Sequence, residues 1–348
     1  MKLRNLCLIS IFCLQPSGCA ESGVEEGQGA NLANGDDAGQ SDAGEAPTPT
    51  CYVGCSDSGA WATNYEDGNV VDTTRARTID YRVYYPVAYS CKTPLILVSH
   101  GGNGSTSAYQ RLEHLGSTYA AAGFVALHIG HRPSSSPAQH LLDRPADVSF
   151  ILDRLMDGSL ALPGNFGGEV DFDAIGHAGH SFGAYTAHAL GAAVFTQGVF
   201  TDARVRAIVP LSPQGPGQFG AFDEGAANNS WRTVSVPAYD LIGSEELDRD
   251  ATGKIMMKGW RLYPFARYPN VQDKYAVVLP GQDHDDMGDK GSPEVKTFIG
   301  MNTKAFFETY LRKRAECACL VNQVAPIPWA LNRRKFEEGS SSPLDLCP

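Results

Sequence analysis

Three stretches of this chain hold residue types that together could carry acyl transfer. Gly179-His180-Ser181-Phe182-Gly183 sets a hydroxyl between two glycines. An apolar run precedes it and an Ala-rich helical stretch follows it. That context places Ser181 on a tight strand-to-helix turn, with its hydroxyl exposed to attack a carbonyl. The flanking glycines remove side chains that would collide in such a turn. In a chain with 37 glycines the pentapeptide alone is a weak signal, and an ordinary Gly-rich turn is the competing reading. The second stretch, Ser99-His100-Gly101-Gly102-Asn103-Gly104, follows a buried-strand pattern. A His-Gly turn there offers a backbone N–H to an oxyanion, and the N–H groups of Gly102 and Phe182 are the expected pair of donors.

A serine hydroxyl needs a base. Nine histidines occur, and His284, in Gly281-Gln282-Asp283-His284, is the one that follows Ser181 outside the helix after the nucleophile. It comes straight after an apolar strand pattern, where α/β sheets place functional groups. His188 is expected to pack or face solvent, and His180 to point elsewhere on the turn. An acid must hold the imidazole tautomer. It is expected in Gly243-Ser244-Glu245-Glu246-Leu247-Asp248, after the strand pattern at 238–242. Glu246 is preferred for its distance from the glycine, and Asp248 remains open for its residue type. Asp283-His284-Asp285-Asp286 could also suggest a metal, but its residues are contiguous and lack helical or finger spacing. No cofactor is required by this chemistry.

These residues need a scaffold. The run at 79–85 alternates with period two and ends at Pro86. Continuous apolar runs at 94–99, 124–128, 205–211, 238–242 and 275–279 read as buried parallel strands. Helical spacing marks 109–122, 141–156, 184–195 and 294–313. Such alternation predicts an α/β fold, a mostly parallel sheet with helices on both faces. The Gly-rich interval 213–235 reads as an irregular excursion. Trp231, Trp260, Phe219 and Phe222 could line a pocket there or belong to the core.

The N-terminus reads as an export signal over 1–18. Lys2 and Arg4 precede a short apolar core, Leu6 to Leu14, and Pro16-Ser17-Gly18-Cys19 follows. Small residues ending in Cys predict a lipidated Cys19, although Pro16 stands where the cleavage box usually has Leu. Plain secretion is the alternative. Residues 19–50 lack large apolar groups and read as a flexible tether to a domain spanning 51–348. Six cysteines follow the lipidation box: Cys51, Cys55, Cys91, Cys317, Cys319 and Cys347. An even set in an exported chain implies disulfides, expected to staple the C-terminal tail to the N-terminal region. A zinc site is disfavoured by the Cys-x-Cys spacing and the lack of a nearby His. The net charge of −11 repels phosphate backbones and disfavours nucleic acid as a partner. Membrane contact is expected only through a lipid on Cys19.

The chain resembles the α/β-hydrolase family that includes predicted dienelactone hydrolases, platelet-activating-factor acetylhydrolases and cutinase-like polyesterases. The resemblance rests on Ser99-His100-Gly101-Gly102, Arg144-Pro145-Ala146-Asp147 with Asp153, the Ser181 pentapeptide, Pro210-Leu211-Ser212-Pro213-Gln214-Gly215 and Gly281-Gln282-Asp283-His284. It runs from about residue 78 to 312. It implies an α/β-hydrolase fold and a serine carboxylic-ester hydrolase acting on a small ester or lipid-like substrate. Members usually carry Gly-x-x-Asp where this chain has Glu246, and the Cys-rich ends are not part of the family pattern. A peptidase or amidase on the same fold and a non-catalytic surface binding protein are the alternatives.

Overall fold

A computed structural model describes residues 51–102, 104–222, 230–322 and the backbone of 331–335. The expected export signal and tether, Cys19, Asn103, the 223–229 part of the excursion, the Phe219 side chain and Cys347 lie outside the described residues.

The apolar runs fold as strands, and their alternation explains the layering. In chain order the strands are β1 (Thr63–Asp72), largely exposed and marked by no apolar run, β2 (Arg77–Pro86), β3 (Lys92–Ser99), β4 (Val125–Gly130) and β5 (Glu169–His180). After a two-residue ribbon, β6 (Val194–Phe195) and β7 (Gly198–Val199), come β8 (Val205–Leu211), β9 (Ala238–Gly243), β10 (Lys274–Leu279) and β11 (Leu331–Lys335). The main sheet has the order β1-β2-β4-β3-β5-β8-β9-β10-β11. The strands from β4 across to β10 pair in parallel. β1 and β2 at one edge and β11 at the other pair antiparallel.

Successive residues of a strand point to opposite faces. In β3, Leu95 and Leu97 enter one core while Ile96 and Val98 enter the other. In β8, Ile208 goes to the first core and Ala207, Val209 and Leu211 to the second. The first core is closed by α2 (Pro137–Met156) and α3 (Phe182–Leu190), through residues such as Leu141, Ile151 and Tyr185. The second is closed by α1 (Glu113–Ala121) and α5 (Pro293–Tyr310), through Leu115, Tyr119 and Phe307. A sheet buried on both faces accounts for the continuous apolar runs. Local signals start the long helices: Ser136 and Ser292 accept from the N–H groups of Gln139 and Val295, and Pro137 and Pro293 follow the caps.

The helix expected over 184–195 starts earlier and stops at Leu190. Gly191 caps it and Ala192 takes a left-handed φ of 81°, so Phe195 falls in β6 instead. Trp231, Trp260 and Phe222 are core residues, each 2% exposed or less, and do not line the cavity at Ser181.

Cys51 pairs with Cys91, 40 residues on, and Cys55 with Cys317, 262 residues on. Cys319 is also disulfide-bonded. The second pair ties the N-terminal region to the segment after α5. Cys55 and Cys317, with Glu316, are close enough to suggest a metal group, but the two sulfurs are bonded to each other and are not thiolate ligands. Closing so long a loop restricts the unfolded chain, so replacing both cysteines by alanine is expected to cost about 2–5 kcal/mol. Urea unfolding of the pair-deleted protein checks this. A midpoint equal to that of the parent would remove the bridge from the stability account.

Candidate active site

The chain order β3–β4 runs one way across the sheet and β3–β5 the other. The gap beyond the carboxyl ends of β3 and β5 is therefore a switch point, where parallel sheets leave a crevice. β3 delivers Ser99 and then His100 to this crevice, and β5 delivers His180 and then Ser181.

Ser181 has φ 56° and ψ −115°, outside the regions that L residues favour. Such a conformation costs of order 1–3 kcal/mol and persists only when its surroundings over-determine it. The surroundings do so here. A Cβ on Gly179 would strike the backbone of Gly183, and one on Gly183 would strike the Ser99 carbonyl. The Ser181 N–H donates to the Leu211 carbonyl at 2.9 Å, which pins the turn to β8.

His284 reaches the site from the loop after β10. Its Nε2 lies 2.9 Å from Ser181 Oγ, and its Nδ1 lies 2.7 Å from Glu246 Oε2. A carboxylate can only accept, so Nδ1 carries the proton and Nε2 offers its lone pair to the serine hydroxyl. Glu246 closes a one-turn helix, Ser244–Glu246, directly after β9. Its Oε1 accepts from Ser212 Oγ at 2.5 Å and from the Gly243 N–H at 3.1 Å. The Arg261 Nε forms an ion pair with Oε2 at 2.7 Å, without the alignment of a hydrogen bond. Burial pushes the Glu246 carboxyl up. The His284 hydrogen bond, the Arg261 charge and the Ser212 hydroxyl outweigh it and hold the group below its ordinary value. Asp248 is not brought to His284. Its Oδ1 accepts from the Gly259 N–H at 2.5 Å and ties down the loop that carries Arg261.

The loop after β3 lies on the other side of Ser181. The Gly102 N–H has no partner among the described residues, and Gly102 lines the cavity with a left-handed φ of 71°. The Phe182 N–H opens α3 beside it. His100 Nε2 accepts from the His131 N–H at 3.0 Å, so its Nδ1 carries the proton and donates to the Gly101 carbonyl at 2.8 Å. Arg111 Nη1 donates to the same carbonyl at 3.0 Å. That carbonyl belongs to the peptide unit whose N–H is Gly102. Arg144, fully buried, donates to the carbonyls of His100 and Gly102 and to Thr186 Oγ1 on α3. One guanidinium therefore ties the loop to the helix of the nucleophile.

Arg144 and Asp147, quoted above as a motif without a role, belong to this support. Asp147 Oδ2 faces His131 Nδ1 at 3.1 Å, and His131 Nε2 faces Ser99 Oγ at 2.9 Å. Arg77 and Arg75 hold the same aspartate. The contacts mimic those at Ser181, but all three side chains are fully buried. Burial, with the charge of Arg144 beside it, keeps the His131 imidazole neutral. The group is a brace under the loop that no substrate can reach.

One histidine differs from expectation, and another packs as expected. His180 does not point away: it lines the cavity, its ring lies 4.8 Å from that of His284, and its Nε2 donates to the His284 carbonyl at 2.8 Å. Burial and the neighbouring His284 bring its pKa down to about 3, so it acts as a neutral prop. His188 is buried and bonds Tyr268 Oη at 2.5 Å. Arg261 and Arg111 had no motif to mark them, and Ser212 stood in the motif at 210–215 without an assigned role.

The cavity over Ser181 has a volume of about 460 Å³. The arrangement can take a proton from a hydroxyl, hold the resulting imidazolium beside a carboxylate, and offer backbone N–H groups to a developing oxyanion. No protein-family model matches this chain, and no curated protein does.

Proposed function

We propose that the protein is a serine carboxylic-ester hydrolase of the α/β-hydrolase type, with Ser181 as nucleophile, His284 as base and Glu246 as the orienting acid. The carrying observation is the continuous chain from Ser181 Oγ through His284 to the buried Glu246 carboxylate. The strand order, the strained turn at Ser181 and the Ser–acid–His order along the chain support the family resemblance.

In the first half-reaction His284 Nε2 takes the Ser181 proton while Oγ bonds to the ester carbonyl carbon. The carbonyl oxygen becomes an oxyanion facing the N–H groups of Gly102 and Phe182. The C–O bond to the alcohol breaks as the imidazolium returns the proton to it. In the second half His284 deprotonates a water as its oxygen bonds to the acyl carbon; the bond from that carbon to Ser181 Oγ then breaks, the imidazolium returns the proton to Oγ, and the carboxylic acid leaves. Glu246 stays ionised throughout, stabilising the imidazolium.

The disulfides are compatible with an exported protein. The Pro16-Ser17-Gly18-Cys19 segment supports attachment to the cell envelope through a lipid on Cys19. A fluorophosphonate probe is expected to label the peptide that contains Ser181, and p-nitrophenyl acetate to be cleaved in preference to peptide anilides. An unlabelled protein would point to the binding-protein alternative. Anilides cleaved faster than the ester would point to the amidase.

A further inference from the structure

We infer that the substrate is a short acyl ester of a hydroxyl-rich, uncharged alcohol, an oligosaccharide or polyol chain, with the alcohol lying in a polar trough beside Ser181. This rests on the ester-hydrolase reading and goes beyond it. Burying a methylene contributes about 0.8 kcal/mol, which a site for long acyl chains gains from apolar walls. Among the described residues Ala251 is the only aliphatic side chain lining the cavity over Ser181, too small to cradle a long acyl chain.

A second cavity of about 590 Å³ adjoins the first and shares Arg111 and Asp289 with it. The side chains of Gln110, Glu113, His114, Ser117 and Lys296 line it, and every described residue of its wall is polar or charged. Their hydrogen-bonding capacity is largely uncommitted. Among the described residues neither Glu113 nor Lys296 forms an ion pair, and Arg111 spends only Nη1, on the Gly101 carbonyl. Hydroxyl groups both donate and accept, so a chain of them can satisfy such a mixed wall. The charges of Arg111 and Lys296 are balanced by Glu113 and Asp289, which disfavours a strongly anionic or cationic ligand.

The full chain is assayed on p-nitrophenyl acetate, p-nitrophenyl octanoate and acetylated xylo-oligosaccharides. The octanoate is expected to give a kcat/KM at least about tenfold below the acetate. A Gln110→Ala/Lys296→Ala double variant is expected to raise KM for the oligosaccharide about five- to tenfold and to leave p-nitrophenyl acetate within about twofold. Octanoate cleaved as well as acetate, or an oligosaccharide KM unmoved in the double variant, overturns this inference and leaves the ester-hydrolase reading standing. No cleavage of p-nitrophenyl acetate and no labelling of Ser181 overturn both.

Discussion

Ser181→Ala is expected to lower kcat for a p-nitrophenyl ester by on the order of 10⁶-fold, His284→Ala by a similar factor, and the double variant by no more than either. The reason is that the two side chains act as one unit. Without the hydroxyl, the base at 2.9 Å has no proton to take. Without the base, the hydroxyl is a weak nucleophile at neutral pH. The N–H groups of Gly102 and Phe182 are untouched by either change, so a residual rate of about 10³–10⁴-fold over water is expected to survive in all three variants. Single-turnover kinetics on the purified proteins read these numbers. Losses that multiply in the double variant would mean that the two residues serve separate steps, and the proposed chemistry would fail.

Glu246→Gln is expected to lower kcat by about 10⁴-fold, because an amide can present its NH₂ to Nδ1 and favour the wrong imidazole tautomer. Asp248→Asn is expected to stay within about fivefold, since Asp248 holds only a loop. The glutamine variant also leaves the buried Arg261 guanidinium without its counter-charge, a change that costs about 3–5 kcal/mol where a buried pair is broken. Melting curves of folded protein separate the two effects. The pH dependence has a definite sign. Folding lowers the Glu246 pKa from its ordinary value of 4.5, so the group's contribution to stability is complete above that value. It is lost as pH falls through the depressed folded value. The stability gap between wild type and Glu246→Gln is therefore expected to be widest at neutral pH and to narrow in acid. A strong loss of activity in Asp248→Asn, with Glu246→Gln active, would move the acid to the other position.

The residues that meet at Ser181 were legible because each sits at the end of an apolar run, and the ends of parallel strands converge. Spacing after Gly243 singled out Glu246, although residue type favoured Asp248. The residues that hold these groups carried no such mark. Arg261 precedes a short helix, α4 (Tyr263–Arg267), and its partner Glu246 lies on another loop. Neither periodicity nor motif joins them. Arg144 and Asp147 were visible as a motif, but their work depends on His100, His131 and Thr186, contributed by three other segments. His180 was misplaced for a related reason. A tight turn sends neighbours apart along the chain, yet the loop from β10 folds back over the turn and encloses the His180 ring. Side-chain support of this kind is a property of the assembled crevice.

The bond between Cys55 and Cys317 makes the stretch from one to the other a closed covalent ring that contains eight strands of the main sheet, β1 to β5 and β8 to β10, with α1 to α5 and every residue assigned to the chemistry. A single peptide cut inside a ring does not divide it. A protease that nicks one surface loop produces two chain ends but no second molecule, and the strands on either side of the cut remain at high effective concentration for one another. If the protein is the exported hydrolase proposed above, damage at one loop tip is an injury the molecule can carry, with Ser181, Glu246 and His284 still on the same covalent body.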